Sequence, residues 1–161
     1  MAEATAQSAF DVTVELACFG VNGQVYGVDV LQIREIVRWQ EVTPLPKAPS
    51  LIEGVIDLRG DVVPVVDLGV ALGGAPVEDS PKARIAVLEV DDMVFGLRVA
   101  LAVDVISAGA SAIDEPPALA TQSGYDAVRA VVRRPGDTPV MVLSLEHLLE
   151  SVYRSAREEG A

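Results

Sequence analysis

The chain has 161 residues, enough for one domain or for two very small ones sharing a core. Half of it is hydrophobic but only 4% is aromatic, so the core must be built from Val, Leu, Ile and Ala, a mixture that favours strands. A formal charge of −12 argues against nucleic acid, whose binders need a basic stripe to displace counterions, and against direct contact with anionic lipid.

The N-terminal residues Met1 to Gln7 lack a basic n-region and an apolar h-region, so residues 1–11 read as a short flexible tail and not as a secretory signal. No apolar run approaches the ~20 residues of a membrane helix, because Asp, Glu, Arg or Pro interrupts each one. A soluble cytoplasmic protein is expected. Val12, Val14, Leu16 and Cys18 alternate as a strand should. Cys18 is the sole cysteine, which rules out an intramolecular disulfide or a Cys-based metal cluster; it reads as a small buried hydrophobe.

After Asp29, Val30 and Ile33 stand three apart and fit a helical turn, as core or as interface. Glu35 lies among Ile33, Ile36 and Val37, the pattern of an exposed position on an alternating strand. Trp39, the only tryptophan, is a half-buried strand residue or an interface anchor, and the sequence leaves both open. Pro44, Pro46 and Pro49 make a stiff connection, and Ser50-Leu51-Ile52-Glu53 is a capping box that predicts one helical turn before Gly54.

From Gly54 to Leu68 two apolar runs flank Arg59-Gly60-Asp61. Gly60-Asp61 supplies the positive φ of a two-residue turn, which places Arg59 at the last strand position of a stiff hairpin. From residue type alone Arg59 is a solvated charge guarding the hairpin end or a recognition residue. Asp57 and Asp67 read as solvated or capping acids, with Asp67 opening a short helix.

Residues 16–37 and 85–106 align without a gap, 69 positions apart: Asn22-Gly23 matches Asp91-Asp92, Tyr26-Gly27-Val28 matches Phe95-Gly96-Leu97, and Glu35 matches Asp104. A second correspondence links Gly60-Asp61 and the Asp67 helix start with Gly136-Asp137 and the Ser144 helix start. Leu145, Leu148, Leu149 and Val152 then form a helical apolar stripe. Two similar small β-barrels follow, with strands free to exchange between them. Residues 74–82 and 107–124 read as loops.

Catalytic constellations are missing. His147 is the only histidine and suits a surface or capping role; no nucleophile elbow, phosphate loop, dinucleotide fingerprint or paired-histidine metal motif is present. No catalytic residue, metal or cofactor is expected, and a binding protein is the better reading.

Several stretches in order resemble the CheW family: Tyr26-Gly27-Val28-Asp29-Val30-Leu31-Gln32-Ile33-Arg34-Glu35-Ile36, Thr43-Pro44-Leu45-Pro46, Gly54-Val55-Ile56-Asp57-Leu58-Arg59-Gly60, and Val63-Pro64-Val65-Val66-Asp67-Leu68. The resemblance spans residues 12–153, with 154–161 left as a C-terminal tail. It implies a mostly β fold of two five-stranded SH3-like barrels packed together, with short helices and a C-terminal helix. It also implies a non-enzymatic adaptor that couples the cytoplasmic tip of methyl-accepting chemotaxis receptors to the regulatory domain of a CheA-type histidine kinase. The alternative is a single-partner regulator or decoy in a pathway for gliding, pilus motility or development. Residues matching the family's receptor-binding surface are Val30, Ile33, Glu35, Gly54 and Arg59. The second half departs from the family pattern at Val99-Ala100-Leu101-Ala102-Val103, where an acid is lost, and at residues 125–131.

Overall fold

Asn22-Gly23 takes φ of 49° and 80°, and Asp91-Asp92 takes 49° and 65°; these tight turns fold each half of the chain into its opening hairpin. The computed structural model describes residues 13–116 and 127–160. The first half runs β1 (Thr13–Val21), β2 (Gln24–Asp29), a 3-10 turn (Val30–Gln32), β3 (Ile33–Arg38), β4 (Ile52–Leu58), β5 (Asp61–Asp67) and α1 (Leu68–Ala71). The second runs β6 (Arg84–Val90), β7 (Met93–Val99), β8 (Leu101–Gly109), a 3-10 turn (Ala110–Ala112), β9 (Ile113–Asp114), β10 (Val128–Val132), β11 (Val140–Leu143) and α2 (Leu145–Gly160).

The halves repeat, but the barrels are not the halves. One sheet has the order β8-β1-β2-β11-β10-β9 and the other β3-β6-β7-β5-β4. The hairpin of each half is therefore completed by strands from the other half. Ile36 on β3 pairs with Ala86 on β6, and its repeat mate Val105 on β8 pairs with Ala17 on β1. The parallel ladders obey the same symmetry: Val65 sits opposite Gly96, and Val142 opposite Gly27. The first sheet is five longer strands plus the two-residue β9.

This exchange explains why β1 and β6 read as nearly unbroken apolar runs. Leu16 and Cys18 of β1 fill the first barrel with Val132, Val140 and Val142, and Ile85 of β6 fills the second with Ile56, Val63 and Val65. The alternate residues Ala17, Phe19 and Val21, with Ala86, Leu88 and Val90, face a third core between the barrels. Leu145, Leu148 and Val152 of α2 close that central core, so the predicted apolar stripe docks as its spacing requires. Ser144 starts the helix: its Oγ lies 3.4 Å from the accepted His147 N–H and 2.7 Å from His147 Nδ1, which gives His147 the capping position expected of it. Cys18 is buried as expected, and burial pushes its thiol pKa up.

Two local expectations need correction. No helical turn forms at Ser50–Glu53; Ile52 N–H donates to Pro49 O at 2.9 Å in a turn, and β4 begins at Ile52. The capping box fails because the Glu53 carboxylate is held by Arg98 of β7. Residues 74–82 do connect the halves without a helix or strand, but 107–109 finish β8, and 110–114 form a 3-10 turn and β9. The rest of the second expected loop lies in part outside the described residues, as do the N-terminal tail 1–11 and Tyr125-Asp126.

Candidate docking site

Leu58 pairs with Asp61, so the turn of the β4–β5 hairpin is Arg59-Gly60, one residue earlier than the sequence suggested. Their φ values, 53° and 90°, are the pair of positive angles that a two-residue hairpin of this twist demands. Asp57 decides the register: its Oδ1 accepts the Gly60 N–H at 2.8 Å and closes the turn from the strand side. Arg59 thus stands on the tip itself, with 71% of its side chain exposed.

There it meets Glu35. Nη1 of Arg59 donates to Oε1 at 3.1 Å, and Nη2 donates to Oε2, a two-pronged ion pair. β3 and β4 are the two edge strands of this sheet, so the pair bridges the barrel's seam. The Arg59 hydrogen bond, more than its charge, holds the Glu35 carboxyl below the usual carboxylate range, against a smaller opposing effect of burial. The same bond raises the Arg59 guanidinium above its ordinary value.

Gly54 has a different position from its candidate partners. It is buried near the start of β4, and a Cβ there would come within 2.2 Å of Thr43 O and 2.9 Å of Val42 Cγ1. Thr43 lies so close because it bridges to Val55, with its N–H donating to Val55 O at 2.8 Å and its O accepting the Val55 N–H at 2.9 Å. The close approach that Gly54 permits is made by the chain's own Thr43 segment.

Val30 and Ile33 bracket the 3-10 turn, whose start is capped by Asp29 Oδ1 accepting the Leu31 N–H at 2.9 Å. Both are half-buried against the central core. Leu31, between them, is 92% exposed and is the apolar residue of this turn that a partner would reach first. Sequence reasoning passed over it. The available signal was the turn itself, which buries the residues three apart and presents the one between. Ile36 and Val62 are further exposed hydrophobics on β3 and β5.

Of the five site residues expected, Glu35 and Arg59 are in direct contact, Val30 and Ile33 lie just before Glu35 in the chain, and Gly54 sits beneath Thr43. Trp39 is half-buried just past β3; its backbone N–H donates to Ala83 O at 3.2 Å, while its indole Nε1 is buried without a hydrogen-bond partner. Asp67 is a cap, accepting the Val70 N–H at 3.1 Å and the Val77 N–H at 3.0 Å. On the other sheet, the edge strand β8 exposes Leu101, Val103 and Val105, with a bulge between the first and the last that turns Leu101 and Val105 to opposite faces. Among the described residues no group of His, Cys, Asp and Glu is arranged to hold a metal ion, and no helix is long and apolar enough to cross a membrane.

Interlocked small barrels that present a rigid charged tip, an exposed apolar turn and a separate apolar edge define a protein-docking module. The chain belongs to the CheW-like domain family, whose model matches residues 15–153. It is 34% identical over 147 residues to the chemotaxis protein CheW of Rhizobium meliloti, covering 91% of this chain and 92% of that relative. It is 30% identical over 151 residues to protein FrzA of Myxococcus xanthus, covering 88% and 89%. The scaffolding protein TtCheW of Thermoanaerobacter tengcongensis has the same fold, with a TM-score of 0.77 at 28% identity, covering 86% of this chain and 94% of that structure. Members of this family are non-enzymatic adaptors of two SH3-like barrels, and so is this chain.

Proposed function

We propose that the chain couples chemoreceptors to a CheA-type histidine kinase within a cytoplasmic chemosensory array. The observation that carries this reading is the Arg59–Glu35 pair on a hairpin tip, with the exposed Leu31 in the turn that leads into the Glu35 strand, within a fold shared with chemotaxis proteins. The occupant is the helical hairpin at a receptor's cytoplasmic tip. Leu31, with the edges of Val30 and Ile33, buries apolar area against it, while Arg59 and Glu35 set register by charge. Gly54 acts indirectly, by letting Thr43 lock the root of the hairpin. A coupler must hold its second partner on a face that the first leaves free. That role is assigned to the edge strand β8 of the other sheet, which exposes Leu101, Val103 and Val105. The docking unit spans 12–153, and avidity within the array outweighs any single contact.

Mixing the chain with receptor tips and kinase and measuring phosphotransfer tests the assignment. Arg59→Glu should abolish receptor-dependent kinase activation; equal activation and equal receptor binding by wild type and variant would overturn it. The similarity to protein FrzA, a relative not named as a CheW, directs a second reading to a pathway outside flagellar chemotaxis, where the chain would be a single-partner regulator. Such a protein binds receptor or kinase but never both.

A further inference from the structure

Arg98 is the least expected side chain in the fold. It lies on β7, the central strand of its sheet, and is only 6% exposed. The duplication gives no warning of it, because the matching position in the first half is Asp29, the cap of the 3-10 turn. Arg98 faces a cleft of about 480 Å³ whose lining includes Ser50, Glu53, Asp67, Glu78 and Asp79. Its Nη1 donates to Glu53 Oε1 of β4, and its Nη2 donates to Asp79 in the connection between the halves.

This clasp is poorly suited to adding stability. Arg98 Nε and Glu53 Oε2 are both buried without a hydrogen-bond partner, and burial raises the Glu53 carboxyl above its usual range, outweighing the pull of Arg98. Desolvation on this scale offsets much of what a buried ion pair contributes. Its geometry is more telling. Ile52 pairs with Val66 and Gly54 pairs with Val65, so Glu53 is the extra residue of a β-bulge. A bulge bends its strand and re-aims what lies beyond it. β4 is an edge strand whose ladder partner is β5, so the hairpin is steered from its root, and Glu53 is that root.

We propose that Arg98 is a positioning residue: by holding Glu53 it fixes the bulge at the root of the β4–β5 hairpin, and so sets where Arg59 meets Glu35 at the tip. Its second hold, on Asp79, ties the connection between the halves to the same point. The Val77 N–H, bonded to Asp67, fastens that connection two residues earlier. The biological meaning of this inference rests on the docking reading above, but its physical content does not.

The test is carried out on the full chain alone. The Glu35 carboxyl is titrated by carbon-detected NMR in wild type, Arg98→Leu and Glu53→Ala, with Arg59→Ala as the reference for a fully lost pair; thermal unfolding is followed in parallel. The midpoint of Glu35 should rise in both clasp variants toward the Arg59→Ala value, while each still unfolds in one cooperative transition. An unchanged Glu35 midpoint in both overturns the proposal. Should Arg98→Leu fail to fold, Glu53→Ala decides by the same criterion. Receptor binding by the wild type is measured separately, and its failure would count against the docking reading while leaving the Glu35 result standing.

Discussion

Substituting Gly54 by alanine tests the packing at the root of the docking hairpin. The added Cβ would lie 2.2 Å from Thr43 O and 2.7 Å from Thr43 C, which is backbone and cannot swing aside as a flexible side chain would. Thr43 must retreat, and with it go the two hydrogen bonds it exchanges with Val55. Each contributes about 0.5–1.5 kcal/mol, so their loss costs roughly 1–3 kcal/mol. Residual crowding of Val42, whose Cγ1 is 2.9 Å from the same point, brings the expected destabilisation to about 2–4 kcal/mol. Urea denaturation should show the midpoint falling by about 1–2 M at unchanged slope. Hydrogen exchange should show the Thr43 and Val55 amides losing protection before the central strands do. A variant within about 0.5 kcal/mol of wild type, with both amides still protected, would refute the claim that Gly54 exists for Thr43.

Three further outcomes follow from the same structure. Because Arg59 depresses the Glu35 pKa, the pair's stabilisation is fully present above the ordinary glutamate value of about 4.3 and is lost as pH falls through the lower, folded value. Receptor binding carried by the pair should accordingly be flat from neutral pH down to the ordinary glutamate value and weaken only below it, whereas Glu35→Gln removes the acid dependence. Cys18, 1% exposed with its thiol pKa raised, should resist alkylation in the native chain and react once urea unfolds it. Leu148→Ala, which opens the central core under α2, should cost about 2–5 kcal/mol by equilibrium unfolding and leave the Arg59 tip intact.

Legibility in the sequence divided along a physical line. Turn chemistry is local, so Asn22-Gly23, Asp91-Asp92 and the hairpin near Gly60 could be read directly. The register of that last hairpin could not, since either Arg59-Gly60 or Gly60-Asp61 puts a glycine in the turn, and the Asp57 side chain makes the choice. Apolar alternation reveals which faces are buried but not what buries them. The two halves were therefore visible, while the exchange of β3 and β8 was visible only as a possibility. The capping box at Ser50–Glu53 satisfied every local rule, yet Arg98, 45 residues away, claims the Glu53 carboxylate. Glu35 and Arg59, 24 residues apart, were named together by family resemblance, and no feature of their own segments showed that they bond to each other. Leu31 was missed because a lone leucine between two packed residues reads as core until the turn is drawn.

Coupling requires both partners on one molecule at once, and sedimentation of receptor tips displayed on vesicles measures this directly. With receptor vesicles and kinase present, the wild-type chain should bring kinase into the pellet in proportion to its own amount, and Arg59→Glu should leave both in solution. A chain that pellets with receptor yet excludes kinase, or that binds kinase only when receptor is withheld, would contradict the account.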